Sequence, residues 1–307
     1  MRMLFAPWVL LMLLGCLVLC LFKKWYKASL IVCILGLFLN WYWNVFSFGC
    51  DLLKGHKGVE HCRVMSWNIS CSKQTSDEKE VDNILEAILN QDADVVFLTE
   101  YYGKLYPEID SVLTNHYCYK GTLDNNRTFG ELYSQVPIDT CMRIGVSKDG
   151  FLFRYDVRYG NGSLPLYCVH MQSNNLVNGS FYPDSIKGRS GIKHYLENYR
   201  IAAEIRKNQA DLIVNDISDA PCIVMGDMND VPGSPALKTL ERAGLKSAWW
   251  KGGFGYGATL HKPLPYRIDH VYYSDGLKLQ RIRRVKSHGL SDHDALVADF
   301  VLIRVPK

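Results

Sequence analysis

Again and again in this chain, a short apolar run rich in β-branched residues stops at one or two polar groups. The stops are Trp67-Asn68, Thr99-Glu100, Val169-His170, Gly226-Asp227-Met228-Asn229-Asp230 with Arg267-Ile268-Asp269-His270, and Ser291-Asp292-His293. Strand-like runs occupy residues 63–69, 94–99, 116–120, 141–147, 151–159, 164–171, 222–225, 268–273 and 295–303. Helical spacing is rarer. It follows the capping-box-like Thr75-Ser76-Asp77-Glu78 (Val81, Ile84, Leu85, Ile88, Leu89) and returns over residues 192–216 and 235–243. Many strands with few helices between them predict two sheets packed face to face and covered by helices, within one α/β domain, rather than a single parallel sheet.

Each polar stop has a plain structural reading. Glu100 suits a solvated strand end, Asn68 a turn cap and Asp227 to Asn229 an Asx turn. Asp269 could pair with Arg267, and His170 could be a satisfied buried imidazole. Those readings leave the repetition unexplained. Sites in sheet proteins are built at strand ends, and this set suits metal-assisted attack on a phosphate ester. A cation holds the phosphate, a carboxylate and an imidazole activate water, and an amide fixes geometry.

The apolar residues are unevenly placed. Residues 3–22 and 28–48 carry no charge and are separated by Lys23-Lys24-Trp25-Tyr26-Lys27. A run of about 20 residues at about 1.5 Å rise spans about 30 Å, the thickness of a bilayer core. Trp25, Tyr26, Trp41, Tyr42 and Trp43 lie near the run ends, where amphipathic rings favour the interface. The expectation is a two-helix transmembrane hairpin over residues 1–50 (about 3–22 and 28–48), a polar linker at 51–60 and a catalytic domain at 61–307. Neither run contains Asp, Glu or His, which argues against a transporter. Lys23, Lys24 and Lys27 in the turn outweigh Arg2 on one side and Lys54 and Lys57 on the other. That balance predicts a cytoplasmic turn and a catalytic domain on the extracytoplasmic side of an integral membrane protein.

The net charge of +4 is too mild to announce nucleic-acid binding. The basic cluster Lys278, Arg281, Arg283, Arg284 and Lys286 reads as a solvated strand face or as a surface for phosphate backbones or lipid headgroups. The ten cysteines contain no C-x-x-C pair, so zinc is not expected.

The order MSWN, FLTE, VH, GDMND, RIDH and SDH resembles the endonuclease/exonuclease/phosphatase superfamily over residues 63–303, here as a membrane-anchored, bacterial-type member. The resemblance implies a deoxyribonuclease I-like, four-layered α/β/β/α sandwich with its site at one end of the two sheets. It implies Mg²⁺, with Mn²⁺ as a substitute, held by Glu100 with Asn68 and Asp292 beside it. Asp227 and Asn229 match the pair that orients or activates water and holds a phosphate oxygen. Asp269 and His293 match the Asp–His couple, and His170 the histidine that contacts phosphate or leaving group. Asn68, His170 and Asn229 thus contact the phosphate. The family's asparagine–threonine pair before the histidine is replaced by Cys168-Val169.

The implied activity is hydrolysis of a phosphodiester in nucleic acid or a phospholipid headgroup, at a bilayer and with no obligate protein partner. An inositol-phosphate-type monoesterase and a non-catalytic tethered scaffold are the alternatives. Every catalytic position holds a competent residue, which disfavours the scaffold.

Overall fold

The computed structural model describes residues 15, 26–43, 45–49, 61–70, 78–101, 103–121, 130–147, 150–160, 162–174, 188–261 and 265–303. Helix α1 (Tyr26–Trp43) is followed by β1 (Ser47–Phe48), β2 (His61–Asn68), α2 (Glu78–Leu89), β3 (Val95–Thr99), α3 (Pro107–His116), β4 (Tyr119–Gly121) and β5 (Gly130–Ser134). Then come β6 (Ile138–Ser147), β7 (Gly150–Tyr159), β8 (Gly162–His170), α4 (Gly188–Asp216), β9 (Ile223–Asp227), α5 (Pro235–Arg242), β10 (Lys246–Ser247) and α6 (Ala248–Gly252). Strands β11 (Phe254–Gly255), β12 (Asp269–Tyr273), β13 (Leu277–Val285) and β14 (Ala295–Leu302) complete the chain.

Two six-stranded sheets form, ordered β10-β12-β9-β8-β7-β6 and β13-β14-β2-β3-β5-β4. Because side chains alternate across a strand, each strand divides its apolar residues between two cores. Cys62, Val64, Val95 and Phe97 from one sheet meet Phe153, Leu166, Cys168, Ile223, Met225 and Val271 from the other in the central core. The opposite-parity residues Met65, Trp67, Val96 and Leu98 pack under α2 and α3. Likewise Tyr167, Val169, Val224 and Tyr272 pack under α4 and α5. The layering is therefore α/β/β/α, as expected.

Strand directions bring the site residues to one end. Strands β2 and β3 are parallel and finish together at Asn68 and Thr99. Strand β14, antiparallel to β2, starts there just after His293. In the facing sheet β8 and β9 are parallel and finish at His170 and Asp227, and β12 starts beside them at Asp269. Parity finishes the job: Asn68, His170, Asp227 and Asp269 sit at positions that continue the inward-facing series of their strands, so their side chains point between the sheets.

Residues 116–120 depart from the expected strand. His116 ends helix α3, whose first position is Pro107, and only Tyr119–Gly121 pair with β5. Helix α4 starts at Gly188, a little before the predicted residue 192. The basic cluster lies on β13, an edge strand, where Arg284 pairs with Asp294 at 3.4 Å and Arg283 donates to Gln91. The described cysteines are all free thiols.

The first apolar run lies outside the described residues except for Gly15, and so does the predicted linker. The second run is helical over Tyr26–Trp43 and then turns extended, with Ser47–Phe48 pairing against Phe254–Gly255. The buried Ser47 hydroxyl donates to the Gly253 carbonyl at 2.8 Å, so this segment docks on the domain. Among the described residues no helix is long and apolar enough to cross a membrane, and no transmembrane hairpin is found. Lys27 at the start of α1 and Asn40 near its end interrupt the apolar stretch.

Gly226 is fixed by close approach. Its φ is +138°, and a Cβ there would lie 1.9 Å from the Val169 carbonyl oxygen of the neighbouring strand. Gly226→Ala is therefore expected to cost at least about 3 kcal/mol, the upper end of the ordinary range for single substitutions. Chemical denaturation of the variant measures this; a loss below about 1 kcal/mol would contradict the close β8–β9 pairing.

Candidate active site

Asn68, on the last residue of β2, ties the two sheets together. Its Nδ2 donates to Glu100 Oε1 at 3.0 Å and to Asp227 Oδ2 at 3.0 Å. The amide's orientation is set by Ser70, whose backbone N–H donates to Asn68 Oδ1 at 2.9 Å. A backbone N–H can only donate, so the amide nitrogen must face the carboxylates. Asn68 thus clamps two acids, where the resemblance implied that it supports a metal or phosphate.

Glu100 leaves β3 in the left-handed region, with φ +51°. For a non-glycine residue that conformation costs about 1–3 kcal/mol and tends to mark functional positions. It delivers the half-buried carboxylate to Asn68 and to His170, whose Nε2 lies 3.4 Å from Glu100 Oε1 and 3.7 Å from Asp227 Oδ2. Burial pushes the Glu100 carboxyl up, but the His170 hydrogen bond and charge with the Asn68 amide hold it down at about 2. Burial works against the His170 cation too, yet Glu100 and Asp227 raise its affinity for a proton.

Asn229 is also left-handed, with φ +50°. Its backbone N–H donates to Asp227 Oδ1 at 2.8 Å, the Asx turn that the GDMND string suggested. Its side-chain Nδ2 donates to the Met171 carbonyl at 2.9 Å and sits 3.4 Å from His170 Nε2. Asp269 lies directly across from Asp227 on the paired strand. Asp269 Oδ2 accepts from His293 Nδ1 at 2.8 Å, with both side chains buried. Asp227 is pushed up, first by burial and then by the Asp269 charge.

The structure brings Asn68, Glu100, His170, Asp227, Asn229, Asp269 and His293 into one cluster. Among the described residues, the ligand atoms of Glu100, His170 and Asp227 lie within 4.8 Å of one another, as do those of Asp227, Asp269 and His293. Asp227 belongs to both trios. The Asp292 side chain is exposed and belongs to neither, although its charge acts on His293. A set dominated by carboxylate oxygens fits a hard divalent cation; Glu100 and Asp227, both already facing one amide, are the residues that would hold it.

Sequence reasoning passed over several supports. The Thr259 hydroxyl accepts from the Ile268 and Asp269 backbone N–H groups at 3.3 and 3.1 Å. The Ser291 hydroxyl donates to the Asn68 carbonyl at 2.7 Å and accepts from the His293 backbone N–H at 3.0 Å. Trp67 Nε1 donates to the His293 carbonyl at 3.0 Å. Ser291 stood in view beside Asp292 and His293; nothing in the local pattern marks Thr259.

The profile of the Endonuclease/Exonuclease/phosphatase family matches residues 65–293, from Met65 on β2 to His293. The chain belongs to that family. Its members are hydrolases that act on phosphate esters, and so is this enzyme. Solved structures agree on the fold. A humanized D. rerio TDP2 is 16% identical, covering 78% of this chain and 98% of its own, with a TM-score of 0.57. An endonuclease/exonuclease/phosphatase from Beutenbergia cavernae is 17% identical, covering 79% and 72%, with a TM-score of 0.55. The human Nocturnin catalytic domain, solved with bound sulfate, is 16% identical, covering 80% and 94%, with a TM-score of 0.53. No curated protein sequence matches the chain.

Burial opposes a charged His293, but Asp269, Asp227 and Asp292 raise its pKa to about 10. A folded value above the ordinary 6.5 means that the native state holds this proton more tightly than the unfolded chain. The stability so gained is complete below about pH 6.5 and is lost as the pH rises through about 10. Metal-free protein should show this alkaline loss in thermal melts, and His293→Gln should flatten it; an equal slope in both would refute the charged couple.

Proposed function

We propose that this enzyme is a membrane-tethered, Mg²⁺-dependent phosphodiesterase that cleaves a nucleic-acid or phospholipid-headgroup diester by attack of water. The observation that carries this reading is Asp227, shared between the Glu100–His170 trio and the Asp269–His293 couple. Glu100 and Asp227 would hold the cation, which when bound supplies a Lewis acid for a phosphate oxygen. Asn229 and His170 face the same space and donate to phosphate oxygens. His293, kept charged by Asp269, offsets negative charge as it develops on the phosphoryl group. Asp227, shared by the two trios, would orient the attacking water beside that cation.

Two features bear on substrate. A D. rerio TDP2 solved with a single-strand DNA product shares the fold, with 14% identity and a TM-score of 0.56, which supports a nucleic-acid diester. Helix α1 leaves Leu30, Ile31, Ile34, Leu35, Leu37 and Phe38 more than half exposed. Such a patch suits a bilayer or another apolar surface, and supports a tether made with the apolar run before it. On that reading the basic turn is cytoplasmic and the catalytic domain is extracytoplasmic.

The test uses the full chain in detergent with Mg²⁺, Mn²⁺ or EDTA, against bis-p-nitrophenyl phosphate, single-stranded DNA and sphingomyelin. Metal-dependent diester cleavage is expected, falling about 10²–10⁴-fold in Glu100→Gln and in His293→Ala. Cleavage of inositol phosphates alone would favour the monoesterase, and no turnover would favour the scaffold. Separately, the chain should float with vesicles and resist carbonate extraction; recovery in the aqueous fraction would refute the tether.

A further inference from the structure

Behind the site, and outside the groups described so far, lies a fully buried ion pair. Arg206, in the interior of α4, directs Nε to Asp230 Oδ2 at 3.1 Å, and neither side chain has any solvent exposure. Its Nη1 donates to the Gln172 carbonyl at 2.9 Å and to Asn174 Oδ1 at 2.9 Å. Its guanidinium lies over the Tyr199 ring. Its Nη2 is buried with no hydrogen-bond partner among the described residues.

Such a pair is a poor device for stability. Desolvating two ions offsets most of their attraction, and apolar replacement of a buried pair is often neutral or stabilising. A donor left unsatisfied adds a further cost. What the pair does uniquely is join two backbone segments. Gln172 to Asn174 is the exit of β8 after His170, while Asp230 directly follows Asn229. Gln209, one turn along α4, holds the Gln172 N–H at 3.0 Å. The Asp230 carbonyl meets His270 Nε2 at 2.9 Å. Asn229 is left-handed, and its Nδ2 donates to the carbonyl of Met171, the residue just before the segment that Arg206 grips.

We infer that Arg206, through Asp230 and the Gln172 carbonyl, is a positioning residue that holds the Asn229 amide and the His170 imidazole in register for catalysis. The guanidinium fork can serve both segments at once; an ammonium cannot reproduce that geometry. A displacement of about 1 Å at a positioned group can cost about 10²-fold in rate. This inference rests on the phosphodiesterase reading above.

The test compares wild type, Arg206→Lys and the paired apolar variant Arg206→Met/Asp230→Leu in the full chain. With bis-p-nitrophenyl phosphate, kcat should fall at least about tenfold in both, with KM within about twofold. The paired variant should stay folded, its melting temperature lowered only by the Gln172 carbonyl and Val231 N–H that lose their partners. In an Asn229→Ala background, Arg206→Lys should cost less kcat than it does in wild type, since one of the two groups it positions is gone. Unchanged kcat in a folded variant, or full additivity with Asn229→Ala, overturns the inference. If the paired variant fails to fold, Arg206→Lys decides alone. If wild type turns over no substrate, the phosphodiesterase reading falls, and positioning is judged from the Asn229 side-chain amide resonances. A shift in Arg206→Lys supports it and unmoved resonances overturn it.

Discussion

Two carboxylates, Asp227 and Asp269, face each other across paired strands, each with almost no solvent exposure. Left alone, two buried like charges would drive one another to protonate. The rest of the site can be understood as the answer to that problem. His293 takes the Asp269 side as a charged partner, while Asn68 and the Asn229 backbone give Asp227 hydrogen-bond donors. His170 stands near the outer edge of the cluster, between Asp227 and Glu100. Negative charge still exceeds what these groups neutralise. That surplus is what a divalent cation and a phosphate approached by water can use.

The answer works only because the two sheets meet. Asn68 comes from one sheet and Asp227 from the other, and a single amide spans them. The same interface is lined by the central apolar core, so the bulk of the burial that stabilises the fold also sets the separation of the catalytic groups. Gly226 is part of this. Any side chain there would push β9 from β8 and carry Asp227 away from His170. Left-handed Glu100 and Asn229 bend the chain just past β3 and β9, so strain is confined to the residues that need an unusual direction.

A second, buried layer stands behind the first. Thr259, Ser291 and Trp67 fix the backbone of Asp269, Asn68 and His293, and Arg206 with Asp230 does so for the GDMND loop. These groups contribute by limiting motion at the reacting centre, and positioned groups lose effect steeply with small displacements. Solved structures at 13–17% identity share the fold over about four-fifths of this chain. Strand parity and strand ends constrain few residue identities.

Much of this was legible from residue order. Short apolar runs identified β2, β3, β6, β7, β8, β9, β12 and β14, and their polar ends named seven residues that do converge. Legibility failed where the pattern was short or polar. Strand β5, Gly-Glu-Leu-Tyr-Ser, buries a polar residue on each face, Glu131 and Ser134, so its alternation is hidden; Glu131 is buried against Lys120 at 2.9 Å and the Tyr133 hydroxyl. Helix α3 has only Ile109 and Leu113 buried, one stripe of two residues, too little for periodicity to register. Asp292 was carried by its neighbour: one residue from His293 in sequence, it sits on a bend ahead of β14 with its side chain in solvent. Arg206 could not be found locally at all. On an amphipathic helix an arginine looks like a solvated position, and only the tertiary meeting of α4 with two distant loops makes it a buried one.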